Sequence, residues 1–525
     1  METQRRNPWL GLLFICISTL IISLDNTVLN VALPSIALGL DASASELQWI
    51  VDSYILVFAA LLLTMGSVGD RIGRKRILQF GIVWFAVFSL MAALSESVEM
   101  LIAARALLGF GGAMILPATL SLITASFREP KQRTIAIAIW SAVFGLGLGL
   151  GPLVSGFLLE YYEWNSVFFI NLPVAAVALV GGYFLLGESK DEKAPSPDLQ
   201  GVGLSIVGLF ALVYGIIEAG VRGWTDGSVL VAFAIAAVTL TAFVWWELRA
   251  PNAMLPMFLF KNMSFTGASI AISLMMFSIL GAMFFLTQFF QSVQSYSPLE
   301  TGVRMFPMFF VFMVAAGNAG QISNRLNIKV VVGIGFLIAT AGMLFLALVA
   351  EVDSSYWILL PGMLAMGVGM GLAMTPTTDS IMGSVPVHKA GVGSAMNDTT
   401  REVGGAMGIA VLGTLMNHRY LQEVTNLKAI VPPEVYEVIQ SSIQGAHGVA
   451  AAFGGETGQA IVNSANQAFV SGMTNAMLIG AGIMFASSLL TLAILPAETH
   501  CIEPECLEEE QERARASALP APAGD

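Results

Sequence analysis

Gly66-Ser67-Val68-Gly69-Asp70-Arg71-Ile72-Gly73-Arg74-Lys75-Arg76 joins two long apolar runs, one near 48–68 and one near 77–95. Glycine reaches backbone conformations closed to other residues, so the stretch reads as a tight turn between two spans. Arginine and lysine beside a span concentrate on the cytoplasmic side of a membrane, so the turn is expected at the inner face. A related stretch, Asn324-Arg325-Leu326-Asn327-Ile328-Lys329, follows 254 positions later. Gly112 and Pro117 likewise resemble Gly371 and Pro376, at an offset of 259. The chain therefore repeats itself.

The rest of the composition agrees with that reading. Of 525 residues, 56% are hydrophobic and only 11% charged, and the mean hydropathy is +0.76. A soluble core stops growing at roughly 250–300 residues, so water cannot be the solvent for this much apolar surface. A helical span needs about 20 apolar residues. Apolar runs lie near 9–33, 48–68, 77–95, 100–124, 134–159, 166–187, 201–219, 228–247, 264–290, 302–322, 329–350, 356–377, 391–416 and 470–495. These fourteen runs predict an all-α integral membrane protein and exclude a soluble enzyme with one anchor.

An even number of spans puts both termini on one side. With the N-terminus inside, 18 of the 24 Lys and Arg residues fall in inner segments. Arg222, Arg419 and Lys428 fall outside, and Arg105, Arg304 and Arg401 within spans. The asymmetry predicts cytoplasmic termini. Arg5 and Arg6 precede an apolar run too long for a signal peptide, so the run is expected to remain as the first span.

The offsets match spans 1–6 with spans 9–14. We expect an N-terminal six-helix half over 1–187, a linker with inserted spans 7 and 8 over 188–263, and a C-terminal six-helix half over 264–496. Two facing halves are a transporter architecture, with the substrate site between them near mid-membrane. Within the second half, 417–469 reads as a long outer loop. There Pro432 and Pro433 precede a helical stripe of Val435, Val438, Ile439 and Ile443, which predicts a short amphipathic helix on the outer surface. Residues 497–525 form an acidic tail, with Glu503, Glu505, Glu508, Glu509, Glu510 and Glu512 within ten positions. Such a run reads as disordered and solvated. Much of the net charge of -12 sits there and implies no nucleic-acid partner.

Cofactor chemistry has no foothold in the pattern. Cys16, Cys501 and Cys506 make no disulfide framework. His388, His418, His447 and His500 fall outside the long apolar runs, and no Cys/His cluster has metal-ligand spacing. No GxxxxGK[ST] loop is present to bind nucleotide. No metal or cofactor is expected.

Four motifs carry a family resemblance. The Gly66–Arg76 stretch resembles the signature inner loop between spans 2 and 3 of the major facilitator superfamily. Leu24-Asp25-Asn26-Thr27-Val28-Leu29-Asn30-Val31-Ala32-Leu33-Pro34 is similar to the span-1 signature of drug:proton antiporters. Gly147, Gly151, Pro152, Ser155 and Gly156 resemble the span-5 antiporter motif of the exporters. Arg105-Ala106-Leu107-Leu108-Gly109-Phe110-Gly111-Gly112-Ala113 resembles the span-4 motif, with Leu108 where the family usually has Gln. Trp164 to Pro173 and Gln291 to Pro298 look like marks of the fourteen-span branch. The acid in Trp49-Ile50-Val51-Asp52-Ser53-Tyr54 is similar to the QacA/EmrB type. The resemblance covers roughly 8–496. It implies that Gly66, Asp70, Arg71, Gly73 and Arg74 gate the inner side, Asp70 locking against a helix end and an Arg. It implies a gating role for Gly147, Gly151, Pro152 and Gly156. Three of these span-5 positions, Gly147, Gly151 and Ser155, recur every four residues and leave one face bare for a close neighbour.

A charge at the bilayer centre costs several kcal/mol even on the lenient insertion scale, so each calls for a reason. Asp25 in the outer half of span 1 and Arg105 in span 4 sit at similar depth and are expected to pair. Such a carboxylate can take and release a proton as access alternates; a static ion pair is the alternative. Asp52 lies one turn into span 2, as a negative charge for cations at the cavity mouth or as an interfacial residue. Tyr54 is a companion substrate contact. Asp398 and Glu402 are one turn apart on span 13, with Arg401 adjacent. They read as substrate or proton sites, or as an internal charge network. Glu218 and Glu247 read as interfacial, and Arg304 as snorkelling.

The expectation is a proton-coupled exporter of amphipathic, cationic drugs, working by alternating access as a monomer in a bacterial inner membrane. A dedicated exporter of one metabolite or self-made antibiotic is the near alternative. A membrane-embedded enzyme or receptor is the remote one.

Overall fold

Residues 7–42, 44–190, 198–250, 252–323 and 325–496 are described by a computed structural model. Arg5 and Arg6, the linker positions 191–197, Asn324 and the acidic tail with Cys501, Cys506 and His500 lie outside the described residues.

Each apolar run becomes a helix, because a backbone in hydrocarbon must satisfy its own hydrogen bonds. The helices are α1 Pro8–Leu40, α2 Ala44–Ile72, α3 Arg74–Ala93, α4 Val98–Ser126 and α5 Pro130–Tyr161. They continue with α6 Ser166–Leu185, α7 Leu199–Arg222 and α8 Gly227–Glu247. Then come α9 Met263–Val293, α10 Pro298–Ser323, α11 Ile328–Val349, α12 Tyr356–Gly383, α13 Ala390–Glu423 and α14 Gly455–Ile494. Short polar side chains start several of them. Asn7, Ser97, Asp198, Asp226 and Asn262 each accept a backbone N–H of the first turn, which satisfies one of the orphan donors there.

Thirteen helices among the described residues are long and apolar enough to cross a membrane. The other long helix, α13, falls below that threshold because Asn397, Asp398, Thr399, Thr400, Arg401 and Glu402 follow one another along it. It is nonetheless inside the bundle, packed on α2, α4, α7, α9 and α14. Its polar groups face protein rather than lipid, as intramembrane polar residues do.

Among α1–α6, α4 packs on α2 and α3, and α1 packs on α5 and α6. Among α9–α14, α12 packs on α10 and α11, and α13 packs on α9 and α14. The seam between these groups runs along α5 with α10 and α2 with α13. The α7–α8 hairpin rests through α7 on α2 and α13, across that seam.

The turn between α2 and α3 is shorter than the sequence suggests. Gly66 and Gly69 are still helical, and Gly73 alone turns the chain, at φ +129°. That conformation excludes a side chain, and a Cβ there would also meet the Glu188 carboxylate. We call the end carrying this turn the basic end and the other the distal end.

The 417–469 segment differs from expectation. α13 runs on to Glu423, and α14 begins at Gly455. Between them lie a 3₁₀ turn over Val424–Ala429 and two helices, Pro433–Ser441 and Ile443–Phe453. Of the expected stripe, Ile439 is fully buried, Val438 is exposed, and Ile443 belongs to the next helix. Ile439 packs with Tyr420, Val424, Tyr436 and Ala446, and Tyr420 Oη donates to the Ile439 carbonyl at 3.0 Å. The helix therefore packs on the chain's own 3₁₀ turn and on the next helix, which rests on α14, and Tyr420 ties it to α13. The 3.6-residue period showed that one face is covered, but not by what.

Candidate functional site

α1 and α4 are long apolar helices that would expel a charge unless it met its complement. They meet at Asp25 and Arg105. Arg105 Nη1 lies 2.6 Å from Asp25 Oδ2, and both residues are buried. The other carboxylate oxygen accepts from Asn171 Nδ2 of α6 at 3.1 Å, and Asn171 also donates to Ser89 Oγ of α3 at 3.0 Å. Arg105 Nε donates to the Ile50 carbonyl at 3.2 Å. The guanidinium lies 4.4 Å from the centre of the Tyr54 ring. Three further helices, α2, α3 and α6, thus hold one ion pair. Desolvated charges survive when their remaining donors and acceptors are filled in this way. Leu108 is buried and contributes no polar group; Asn171 and Ser89 build the network instead. Asn171 lies in the Trp164–Pro173 stretch, but neither it nor Ser89 is charged and each is distant from Asp25 along the chain, so the sequence did not point to this pairing.

Tyr54 stacks on Phe58 at 5.5 Å, and its buried hydroxyl has no hydrogen-bond partner. Asp25, Arg105 and, from across the seam, Glu402 are within electrostatic reach of it. Tyr54 therefore adjoins the ion pair. Asp52, two residues before Tyr54 on α2, is partly buried, hydrogen-bonded to Gln48 and within electrostatic reach of Glu218. Glu218 lies near the end of α7. It is buried and paired with Arg222. Glu247 is buried too, and accepts from the Leu255 N–H at 3.0 Å. Arg304 pairs loosely with Glu300 and stacks on Tyr296 at 3.7 Å.

On α13, Asp398 and Arg401 are buried and Glu402 is partly buried. Arg401 Nη1 is 3.6 Å from Asp398 Oδ1, beyond hydrogen-bond length, and Asn397 Nδ2 donates to that oxygen at 3.1 Å. Asp398 Oδ2, Arg401 Nε and Arg401 Nη1 have no hydrogen-bond partner. Charges so incompletely matched inside a bundle are costly.

Two junctions close the seam at the basic end. At the first, Asp70 accepts from the Gly391 and Val392 N–H groups, at 2.8 and 3.2 Å. Gly391 and Val392 open α13, and a helix N-terminus attracts a carboxylate. Arg74 Nε donates to Asp70 at 2.8 Å, and its Nη2 donates to the carbonyls of Val387 and His388 at 2.6 and 3.1 Å. Gly66 makes room for this: a Cβ there would strike the Gly391 carbonyl. Arg74 carries the junction and Arg71 does not; Arg71 Nη1 has no hydrogen-bond partner. The second junction was missed in the sequence. Asp379 at the end of α12 accepts from Thr134 Oγ1 at 2.6 Å and Arg133 Nε at 3.3 Å, both at the start of α5.

α5 has two bare faces. Gly147, Gly151 and Ser155 lie on α1, where a Cβ at either glycine would strike Ser23 or Thr27, and Ser155 Oγ donates to the Val28 carbonyl at 2.9 Å. Gly145, Gly149 and Gly156 lie on Phe312, Phe309 and Leu299 of α10, and Pro152 abuts Gly302. The second face spans the seam. Among the described residues no group of three or more His, Cys, Asp or Glu is placed to hold a metal ion.

The geometry has relatives. The family model described as Major Facilitator Superfamily matches residues 15–409. The chain is 37% identical over 486 residues to the multidrug efflux pump LfrA of Mycolicibacterium smegmatis, covering 91% of this chain and 95% of that one. It is 32% identical to the tetracenomycin C resistance and export protein of Streptomyces glaucescens, over 95% and 94% of the two chains. It is also 32% identical to the methyl viologen resistance protein SmvA of Salmonella typhimurium, over 88% and 93%. In fold it is similar to the proton:xylose symporter XylE, with a TM-score of 0.63 at 12% identity over 93% and 96% of the chains. The human organic anion transporter MFSD10 gives 0.60 at 14% identity over 94% and 100%. With a family model covering most of its length, relatives alike from end to end, and long apolar helices throughout, this chain is a multi-pass membrane protein belonging to the major facilitator superfamily.

Proposed function

We propose that the protein exports amphipathic, cationic drugs in exchange for protons, by alternating access between two six-helix halves. The carrying observation is the buried Asp25–Arg105 pair at 2.6 Å, held by Asn171 and Tyr54 in the transport fold. Protonation of Asp25 removes the attraction to Arg105 and loosens a network that joins five helices, α1, α2, α3, α4 and α6. That is how a proton's passage becomes a rearrangement. The resistance and efflux relatives supply the class of cargo, and methyl viologen, named for one of them, is a cation.

In this reading the basic end faces the cytoplasm of a bacterial cell, since 18 of 24 Lys and Arg residues sit in segments at that side. The Asp70 and Asp379 junctions are the inner latches, and the α5–α10 contact is the hinge and outer closure. Asp52 gives entering or leaving cations a negative field. Asp398 and Glu402 serve substrate or proton in the second half. The chain acts as a monomer.

Inverted vesicles test the proposal. Acidifying the lumen should drive uptake of several dyes by wild type and of none by Asp25→Asn, at equal amounts of folded protein. Undiminished uptake by Asp25→Asn would remove it from the coupling scheme. A dedicated exporter of a single metabolite is favoured by the full-length similarity to the tetracenomycin C resistance and export protein. Uptake of one compound only would select that reading.

A further inference from the structure

Arg401 is held in an unusual way. Its guanidinium lies 4.2 Å from the centre of the Phe144 ring and 5.9 Å from that of Trp140, both on α5 across the seam. The two rings are stacked, 5.8 Å apart with 21° between planes. Trp140 is fully buried and fixed by a 3.0 Å hydrogen bond from its Nε1 to Thr119 Oγ1. Beneath them Asp398 keeps one buried oxygen without a donor, while Arg401 keeps two nitrogens without an acceptor. A better pairing is within reach, because Arg401 and Asp398 are one helical turn apart at 3.6 Å. The guanidinium instead rests on the aromatic faces. Such faces attract any cation that sheds its water, and the attraction is stronger where solvent is excluded.

We propose that Trp140 and Phe144 form a subsite for a hydrophobic organic monocation, and that Arg401 occupies it as a tethered stand-in. The incoming cation takes the place of the guanidinium on the rings. Arg401 swings onto Asp398 and fills the empty carboxylate oxygen. The bundle gains the cation's one positive charge, next to Asp398 and Glu402 on α13. The exchange also releases the contact between α13 and α5, so binding loosens the seam that transport must open. This inference rests on the efflux reading above and names the cargo class and its seat.

Binding of tetraphenylphosphonium to the detergent-purified full chain is the test, with neutral triphenylphosphine oxide as control. Phe144→Leu should weaken phosphonium binding about tenfold or more, and Phe144→Tyr, which keeps the ring, should bind as wild type does. Arg401→Ala should bind the phosphonium more tightly, because its competitor is gone. Millimolar methylguanidinium should then compete in Arg401→Ala and not in wild type. Binding of the neutral oxide should be the same in wild type and all three variants. Equal losses in Phe144→Leu and Phe144→Tyr, or weaker binding in Arg401→Ala, would show that the rings and the arginine are packing only. Wild type that binds the phosphonium, with Phe144→Leu unchanged, overturns the subsite and leaves efflux standing. Wild type that binds no organic cation overturns the cationic efflux reading itself.

Discussion

Asn171 decides how the buried acid is held. Its amide reaches Asp25 at 3.1 Å and Ser89 at 3.0 Å, so truncation leaves a carboxylate oxygen unfilled in the dry interior. A hydrogen bond to a charged group contributes about 1.5–3 kcal/mol. Asn171→Ala is expected to lose stability of that order and to slow dye efflux, with Ser89→Ala milder because Asp25 keeps its donor. Thermal unfolding and vesicle transport measured side by side check this. Wild-type stability and rate in Asn171→Ala would remove it from the site. Asp25 and Arg105 were legible in the sequence, because a charge in an apolar run stands out. Asn171 was not, because an amide near a helix start has many commoner uses.

Two elements, the ends of α2 and α12, carry acids that reach across the seam. Asp70 meets the N-terminus of α13, and Asp379 meets Arg133 and Thr134 at the start of α5. In the first, the family resemblance of the 66–76 stretch pointed to Asp70 meeting a helix end before the partner was visible. In the second no such stretch exists, and only the packing of α12 on α5 joins the residues. Both are expected to hold the basic end closed. A cysteine at Ala395, packed against Gly66 in a chain otherwise free of cysteine, reports on it through its rate of thiol labelling. Asp70→Asn and Asp379→Asn should each raise that rate about tenfold, for losses near 1.4 kcal/mol, and together they should raise it further. An unchanged rate in Asp379→Asn would show that the second contact is not a latch. α13 itself shows the limit of hydropathy. Its polar run lowers the apolar average because the residues are read without the helices that surround them.

Over the whole molecule the seam is closed at both ends, by the two junctions at the basic end and by α5 against α10 towards the distal end. A Cβ at Gly156 would lie 2.9 Å from that of Leu299. A cysteine pair at these positions, after slight relaxation, should form a disulfide. Oxidised Gly156→Cys/Leu299→Cys protein should stop transporting, and reductant should restore it. Transport by the oxidised protein would show that the distal end need not part there. The α7–α8 hairpin lies across the same seam on α2 and α13, so it must travel with one of them or slide.

By itself the sequence determined the solvent, the all-helical class and the order of the long helices, the basic end and the family, since each is written in local composition or in contiguous motifs. It also showed that Asp25, Arg105, Asp398 and Glu402 needed partners, because an intramembrane charge is too costly to leave alone. Only the tertiary structure decided who those partners are. It placed Asn171 on Asp25, Arg74 rather than Arg71 on Asp70, Arg133 on Asp379, and Arg401 on the rings of Trp140 and Phe144. Most of those pairings join different helices, and helix-to-helix distance is set by how small residues and side-chain ridges pack. No periodicity along one chain encodes that distance.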